Sequence, residues 1–155
     1  MNLFLLDQLR HTRANTEIAL ESGATRLSLA DLRSRVESLT ASLQQLQAKR
    51  VAIYADNGID FVVTDLACQA AGITAIPLPL FFSVEQILHA LNSSGVDTIV
   101  ADRRIETIIP NALPAPKLGP LPAVVEHIYR LQTESNAALP TGTQKITFTS
   151  GTTGT

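Results

Sequence analysis

The sequence predicts an α/β fold, in which a mostly parallel sheet carries helices on both faces. Apolar strand-like segments begin at Val51, Ile73 and Val96, and a helical pattern separates each from the next. Parallel pairing needs a connection long enough to hold a helix, which this alternation provides. A hydrophobic content of 45% over 155 residues is enough for one sizeable core. The expected core is therefore a doubly wound sheet, flavodoxin-like or Rossmann-like.

The segment of about residues 1–50 reads as helix, hairpin and helix. MNLFLLDQLRH at the N-terminus predicts a short amphipathic helix, and two short strands around Gly23 predict a hairpin. Ser28 followed by Asp31 is typical of a helix N-terminus. Apolar residues at helical spacing then predict a helix over Leu29 to Ala48.

The segment 51–109 predicts a βαβαβ core. Strands are expected over Val51–Asp56, Ile73–Leu78 and Val96–Asp102, and the helix between the first two is expected over Ile59–Ala71, ending at Gly72. The second helix has a capping-box pattern in Ser83 and Gln86 and is expected over residues 84–94, before Gly95.

The segment 110–143 changes character, because most of the eight prolines fall in it. It predicts loop and connector, with one strand over Ala123 to Leu131. The segment 144–155 predicts a final strand, KITFTS, that runs directly into a turn of glycines and hydroxyl residues.

Composition and charge exclude several classes of function. The formal net charge is -2, and no basic cluster extends beyond Arg103 and Arg104, so no nucleic acid partner is expected. The longest apolar run, from Ile73 to Phe82, is about half the ~20 residues of a membrane span and contains prolines. The single cysteine excludes an internal disulfide, and the N-terminus lacks the pattern of a signal peptide, so a cytoplasmic protein is expected.

The glycine and hydroxyl run after the final strand predicts a phosphate-binding loop. Glycines let backbone N–H groups converge on an anion, and hydroxyls can donate to phosphate oxygens. The spacing differs from both G-x-x-x-x-G-K-[ST] and G-x-G-x-x-G. A flexible tail is the alternative interpretation. The candidate residues are Thr149, Ser150, Gly151, Thr152, Thr153 and Gly154.

The stretch ITFTSGTTGT resembles the phosphate loop of the AMP-forming, adenylate-forming ligases. That superfamily contains acyl- and aryl-CoA synthetases, luciferases and peptide-synthetase adenylation domains, and its loop usually reads Y-T-S-G-T-T-G-x-P-K-G. Thr155 stands at the variable position. Two earlier stretches also resemble the family, in the same order along the chain. LSLADL is similar to the family's L-T-Y-x-E-L helix, and Ala70, Gly72 and Pro77 match its A-x-G and strand-ending proline.

The resemblance implies a reaction and its cosubstrates. Such enzymes bind ATP with Mg²⁺, let a carboxylate attack the α-phosphate, release pyrophosphate, and pass the acyl group to a thiol, often that of coenzyme A. Within this chain it assigns phosphate contacts to Thr149 through Gly154 alone. The family's adenosine contacts, magnesium-binding glutamate, acid pocket and C-terminal lysine would follow Thr155.

Residues 1–155 are therefore expected to be an incomplete N-terminal AMP-binding domain, inactive alone, of engineered, proteolytic or genetic origin. A cut domain leaves sheet edge and apolar surface uncovered, so homo-oligomers are expected. The acid substrate stays open among fatty, aromatic and amino acids.

Other reactive residue types receive simpler interpretations. Cys68 stands among apolar helix positions and is expected to be a buried structural thiol. The three histidines lack the spacing of a metal site, and none is proposed: His11, His89 and His127. The turn Asp56-Asn57-Gly58 follows a parallel strand, where open sheets bind ligands, but it also suits a helix cap.

Two rival functions are open at the level of sequence. One is a noncatalytic α/β binding module with a Thr/Gly tail. The other is an intact flavodoxin-like nucleotide-binding protein, although its phosphate turn would have to be the glycine-poor Asp56-Asn57-Gly58.

Overall fold

The computed structural model describes residues 16–116, 127–132 and 137–149. Within these ranges lie a two-stranded hairpin and a five-stranded sheet of order β4-β3-β5-β7-β6. The predicted N-terminal helix falls outside the described residues. The strands are β1 Ile18–Ser22, β2 Thr25–Ser28, β3 Arg50–Tyr54, β4 Thr74–Pro77, β5 Thr98–Ala101, β6 Ala112–Pro114 and β7 His127–Leu131. The helices are α1 Leu29–Gln45, α2 Ile59–Ala71 and α3 Val84–Ser94.

The large sheet is mostly parallel, as predicted. Strand β3 pairs in parallel with β4 on one side and with β5 on the other. Strand β7 is antiparallel to β5, and β6 is antiparallel to β7, so only β7 opposes the common direction. The order β4-β3-β5 requires successive crossovers in opposite directions, and right-handed crossovers then place their helices on opposite faces.

Two apolar clusters confirm helices on both faces of the sheet. Successive residues of β3 belong alternately to the two clusters, because neighbouring side chains in a strand point to opposite faces. The cluster on the α1 and α2 face includes Val36, Leu43, Val51, Ile53, Val63, Ala67 and Val100. The cluster on the α3 face includes Ala52, Ile76, Ile87, Leu91, Ile99, Ile105 and Tyr129.

Strand β6 was not predicted, because its residues belong to the proline-rich segment that was expected to be loop. It pairs with β7 from Ala112 to Pro114 and forms an edge of the sheet. An edge strand tolerates a proline, because one of its sides needs no hydrogen-bond donor. The pairing depends on a partner strand distant in sequence, which no local pattern reveals.

The helix ends follow the sequence signals closely. Ser28 Oγ accepts a hydrogen bond from the Asp31 amide at 3.1 Å, and Ser83 with Gln86 forms a complete capping box. Gly72 and Gly95 end α2 and α3 in the left-handed conformation, as predicted. Helix α1 ends at Gln45, before the predicted Ala48, because the chain turns at Gln47 with a positive φ of 55° before entering β3.

A charged cluster joins the carboxyl ends of β3 and β5. The Asp56 amide donates to Asp102 Oδ2 at 2.8 Å, and Arg103 binds both carboxylates, Asp102 at 2.6 Å and Asp56 at 2.9 Å. The Arg103 guanidinium also lies 5.8 Å from the ring centre of Tyr54. Hydrogen bonding from Arg103 lowers the pKa of the Asp102 carboxyl, which therefore stabilises the fold in its charged form.

None of the described helices is both long and apolar enough to cross a membrane. Cys68 lies in α2 and is completely buried, which confirms the structural interpretation of this thiol. Burial raises the pKa of the Cys68 thiol to about 12, and the nearby Asp65 carboxylate adds to the shift.

Acidification should weaken the fold through Asp102. A depressed folded-state pKa gives stability that is fully present above the unfolded value of about 3.8 and is lost as the pH falls through the folded value. We expect Asp102→Asn to cost about 1 kcal/mol at pH 7 and less at low pH, measured by urea unfolding. Arg103→Met should remove the largest part of the same pH-dependent component, because the Asp56 amide also lowers the pKa of Asp102. A cost for Asp102→Asn that stayed constant with pH would contradict this assignment.

The thiol of Cys68 should react only when the protein opens. At pH 8 we expect a disulfide reagent to label it about 1,000-fold or more slowly than the unfolded chain, because burial suppresses both access and thiolate formation. Labelling is followed by absorbance across a urea series. A rate that is independent of urea would show that the thiol is accessible in the folded protein.

Candidate functional site

The residues leading to the predicted phosphate loop form an extended strip, residues 137–149, which we call the leader segment. It is held first at the amino end of β3, where the Arg50 guanidinium donates to the Ala137 carbonyl at 2.5 Å. The same guanidinium donates to the Ser94 carbonyl at the end of α3 at 2.9 Å. Arg50 therefore ties the start of the leader segment to the body of the sheet.

A tight turn then aligns the leader segment with β4. The Thr143 amide donates to the Pro140 carbonyl at 3.2 Å, and Gly142 takes the positive φ of 83° that a type II turn requires. The Thr74 hydroxyl donates to the Thr143 carbonyl at 2.7 Å. The turn is thereby fixed to the first residue of β4.

Beyond the turn, the leader segment runs parallel to β4 and makes one bridge, between Lys145 and Ala75. The Ala75 amide donates to the Gln144 carbonyl, and the Ile146 amide donates to the Ala75 carbonyl, both at 2.9 Å. Within residues 145–149, the described part of the predicted strand KITFTS, the pairing is thus reduced to a single bridge. The cause is Pro77, the next residue of β4 on this side, which has no N–H to continue the ladder.

Partly buried and exposed side chains alternate along the end of the leader segment, as they do in a strand with one buried face. Ile146 and Phe148 are partly buried against the apolar cluster on the α3 face, while Thr147 and Thr149 are exposed. The Phe148 ring meets the Phe82 ring edge to face, with 6.5 Å between centroids. This contact places the end of the leader segment beside the loop that follows β4, at the carboxyl edge of the parallel strands.

On the opposite face, Lys145 forms an ion pair with Asp65 of α2. The distance from Lys145 Nζ to Asp65 Oδ1 is 2.7 Å, and the Asp65 side chain is only 17% exposed. Asp65 Oδ2 accepts a second hydrogen bond, from Gln69 Nε2, at 3.2 Å. The carboxylate is therefore oriented from within its own helix and directs its other oxygen to Lys145.

Of the predicted phosphate-binding residues, the structure places Thr149 exposed at the end of the leader segment. The other five lie outside the described residues: Ser150, Gly151, Thr152, Thr153 and Gly154. The residues that hold the leader segment, namely Arg50, Asp65 and Thr74, were not predicted. Their partners are far along the chain, so no spacing in the sequence could have identified them.

The turn Asp56-Asn57-Gly58, the other predicted ligand position, caps a helix and borders an open cavity. Gly58 is the N-cap of α2, and the Asp56 carboxylate is engaged by Arg103. The cavity has a volume of about 360 Å³ and is lined in part by Thr25, Arg35 and Asp102. Within the described ranges, no cluster of three or more His, Cys, Asp or Glu side chains could hold a metal ion.

Comparisons of the sequence identify relatives over nearly the whole chain. A 2-succinylbenzoate–CoA ligase from Staphylococcus epidermidis is 28% identical over 99% of this chain and 31% of its own length. A polyketide synthase-nonribosomal peptide synthetase from Aspergillus flavipes is 25% identical over 90% of this chain and 4% of its own length. The chain thus spans about a third of the length of the CoA ligase that it matches.

Solved structures share the fold. The adenylation domain AlmE of Vibrio cholerae, in complex with glycyl-adenosine-5'-phosphate, superimposes with a TM-score of 0.61 and 21% identity, over 68% of this chain and 20% of its own. MatB from Rhodopseudomonas palustris gives a TM-score of 0.62 with 22% identity, over 71% of this chain and 23% of its own.

The family model for AMP-binding enzymes matches residues 8–155, which is almost the entire chain. The match includes the hairpin, both crossovers, the leader segment and the glycine-rich motif that follows it in the sequence. The chain therefore belongs to the AMP-binding enzyme family.

Proposed function

We propose that this chain is the N-terminal, phosphate-binding part of an AMP-forming acid–thiol ligase. The observation that carries the proposal is the path of the leader segment, which runs parallel to β4 and leads toward the carboxyl edge of the sheet. Open α/β sheets bind their ligands at that edge. The residues that follow at once are the threonines, serine and glycines of the phosphate-loop motif.

The proposed task of the loop is to hold the leaving group. A carboxylate attacks the α-phosphate of ATP, the bond to the β-phosphate breaks, and pyrophosphate leaves with the electron pair. Backbone amides and hydroxyls of Thr149 through Gly154 donate to the β- and γ-phosphate oxygens, where negative charge accumulates. Donors already fixed in position stabilise that charge with little reorganisation.

Mg²⁺ is proposed to arrive as the ATP complex. The hydroxyl-rich loop suits phosphate oxygens and magnesium-bound water better than direct coordination, which Mg²⁺ usually takes from carboxylates. Coenzyme A is proposed as the thiol acceptor, because a relative that matches 99% of the chain is a CoA ligase. The acid pocket and the adenosine contacts are assigned to the remainder of a complete ligase. A cytoplasmic location agrees with the single, reduced Cys68.

Replacing a loop glycine should abolish adenylation. We expect Gly151→Val or Gly154→Val to lower ATP–pyrophosphate exchange by the complete ligase by about 100-fold or more, because a branched side chain would occupy the phosphate position. Thr155→Val, at the variable position, is the matched control and should keep most of the activity. Near-normal exchange in either glycine variant would refute the role of the loop.

The isolated chain is proposed to self-associate through its uncovered edge and apolar surface. Leu113 on the edge strand β6 is 55% exposed, and Phe81 in the loop after β4 is 77% exposed. We expect dimers or larger species in light scattering at tens of micromolar, and weaker association for Leu113→Lys. Ile18→Lys, on the separate hairpin, should leave association unchanged. A stable wild-type monomer at these concentrations would rule out the proposal.

A further inference from the structure

We infer that Asp65 and Lys145 are positioning residues that set the register of the leader segment on β4, and thereby the place where the phosphate loop begins. The inference rests on the proposed function for its catalytic consequence. Its structural part stands on the ion pair and the bridge alone. Both residues lie outside the phosphate-loop motif.

The bridge between Lys145 and Ala75 does not define a register by itself. Only two backbone hydrogen bonds join the leader segment to β4 beyond the turn, and Pro77 prevents a third. A longer ladder would resist slippage through many bonds acting together. Here the side chains must select the alignment.

The apolar side chains exclude slips by an odd number of residues. Ile146 and Phe148 pack on the α3 face, while Lys145 reaches Asp65 on the α2 face. A shift by one residue would move every side chain to the other face and bury Lys145 among apolar residues. The free-energy cost of burying this charge makes the shifted alignment far less stable than the observed one.

A slip by two residues keeps every side chain on its own face, so the apolar pattern cannot exclude it. It would carry Thr149 about 6.6 Å along the sheet, and the loop with it. It would also separate Lys145 from Asp65. The ion pair therefore discriminates between the observed register and its nearest competitor on the α2 face, together with the Arg50 and Thr74 hydrogen bonds and the Phe148–Phe82 contact.

The geometry of Asp65 fits a positioning role. Its Oδ1 atom is buried and accepts no hydrogen bond within the described part of the chain, so the Lys145 ammonium at 2.7 Å compensates its charge. Gln69 orients the carboxylate by binding Oδ2. A buried carboxylate without a compensating charge is unfavourable, so every register that removes Lys145 is penalised.

The structural part is tested on this chain by amide hydrogen exchange, read at the amides of Ala75 and Ile146. We expect Lys145→Met and Asp65→Asn each to accelerate exchange at these two amides by about tenfold, because the local opening equilibrium shifts. In the double variant these two amides should exchange no faster than in either single variant. Lys145→Arg should retain protection, and Lys49→Met, at an exposed lysine elsewhere, should change nothing.

Two exchange results would overturn the register role. One is unchanged protection of Ala75 and Ile146 in both single variants. The other is an equal acceleration across β3 and β5, which would mean general destabilisation in place of a local effect.

The catalytic part is tested by ATP–pyrophosphate exchange in a complete ligase carrying this sequence. A loop that occupies the productive register for a fraction of the time binds more weakly by that fraction. We expect Lys145→Met to raise the KM for Mg-ATP by about tenfold with a smaller change in kcat, and Lys145→Arg to restore it. A wild-type KM in Lys145→Met would overturn the positioning role. A wild-type ligase without exchange activity would instead refute the proposed function, and amide exchange would still decide the register.

Discussion

The parallel pairing of β3 with two neighbours is the constraint on which the rest of the structure depends. Strand β3 has β4 on one side and β5 on the other, so each crossover must cover a different face of the sheet. Both faces of β3 are consequently buried, and Val51, Ala52 and Ile53 have no exposed surface. The same pairing brings the carboxyl ends of three parallel strands to one edge, where such folds bind ligands.

The edge strand β4 holds the segment that leads to the candidate site. Its inner side is paired with β3, while its outer side offers Ala75 for pairing and Pro77 as a stop. The leader segment therefore gains enough hydrogen bonding to follow the sheet, but too little to be a full strand. An ion pair on one face of the sheet and aromatic packing on the other therefore set the alignment of the leader segment.

Local signals predicted the helices and the parallel strands closely where the structure describes them, since their causes are local. Capping residues at Ser28 and Ser83, terminal glycines at Gly72 and Gly95, and apolar spacing all act within a few residues. Strand β6 and the leader segment were described poorly by the same reasoning. Whether Ala112 or Lys145 belongs to a ladder depends on which distant strand lies beside it, and a proline on that partner can end the ladder.

The sequence by itself determined the alternation of strands and helices and the glycine-hydroxyl motif that indicates phosphate chemistry, because backbone geometry and residue type act locally. Only the tertiary structure decided that the leader segment lies along β4 and that Asp65 meets Lys145 across 80 residues of chain. It also decided that Arg103 joins the ends of β3 and β5. These contacts join residues that only the folded sheet brings together, and a contact between distant residues leaves no periodic signal in the chain.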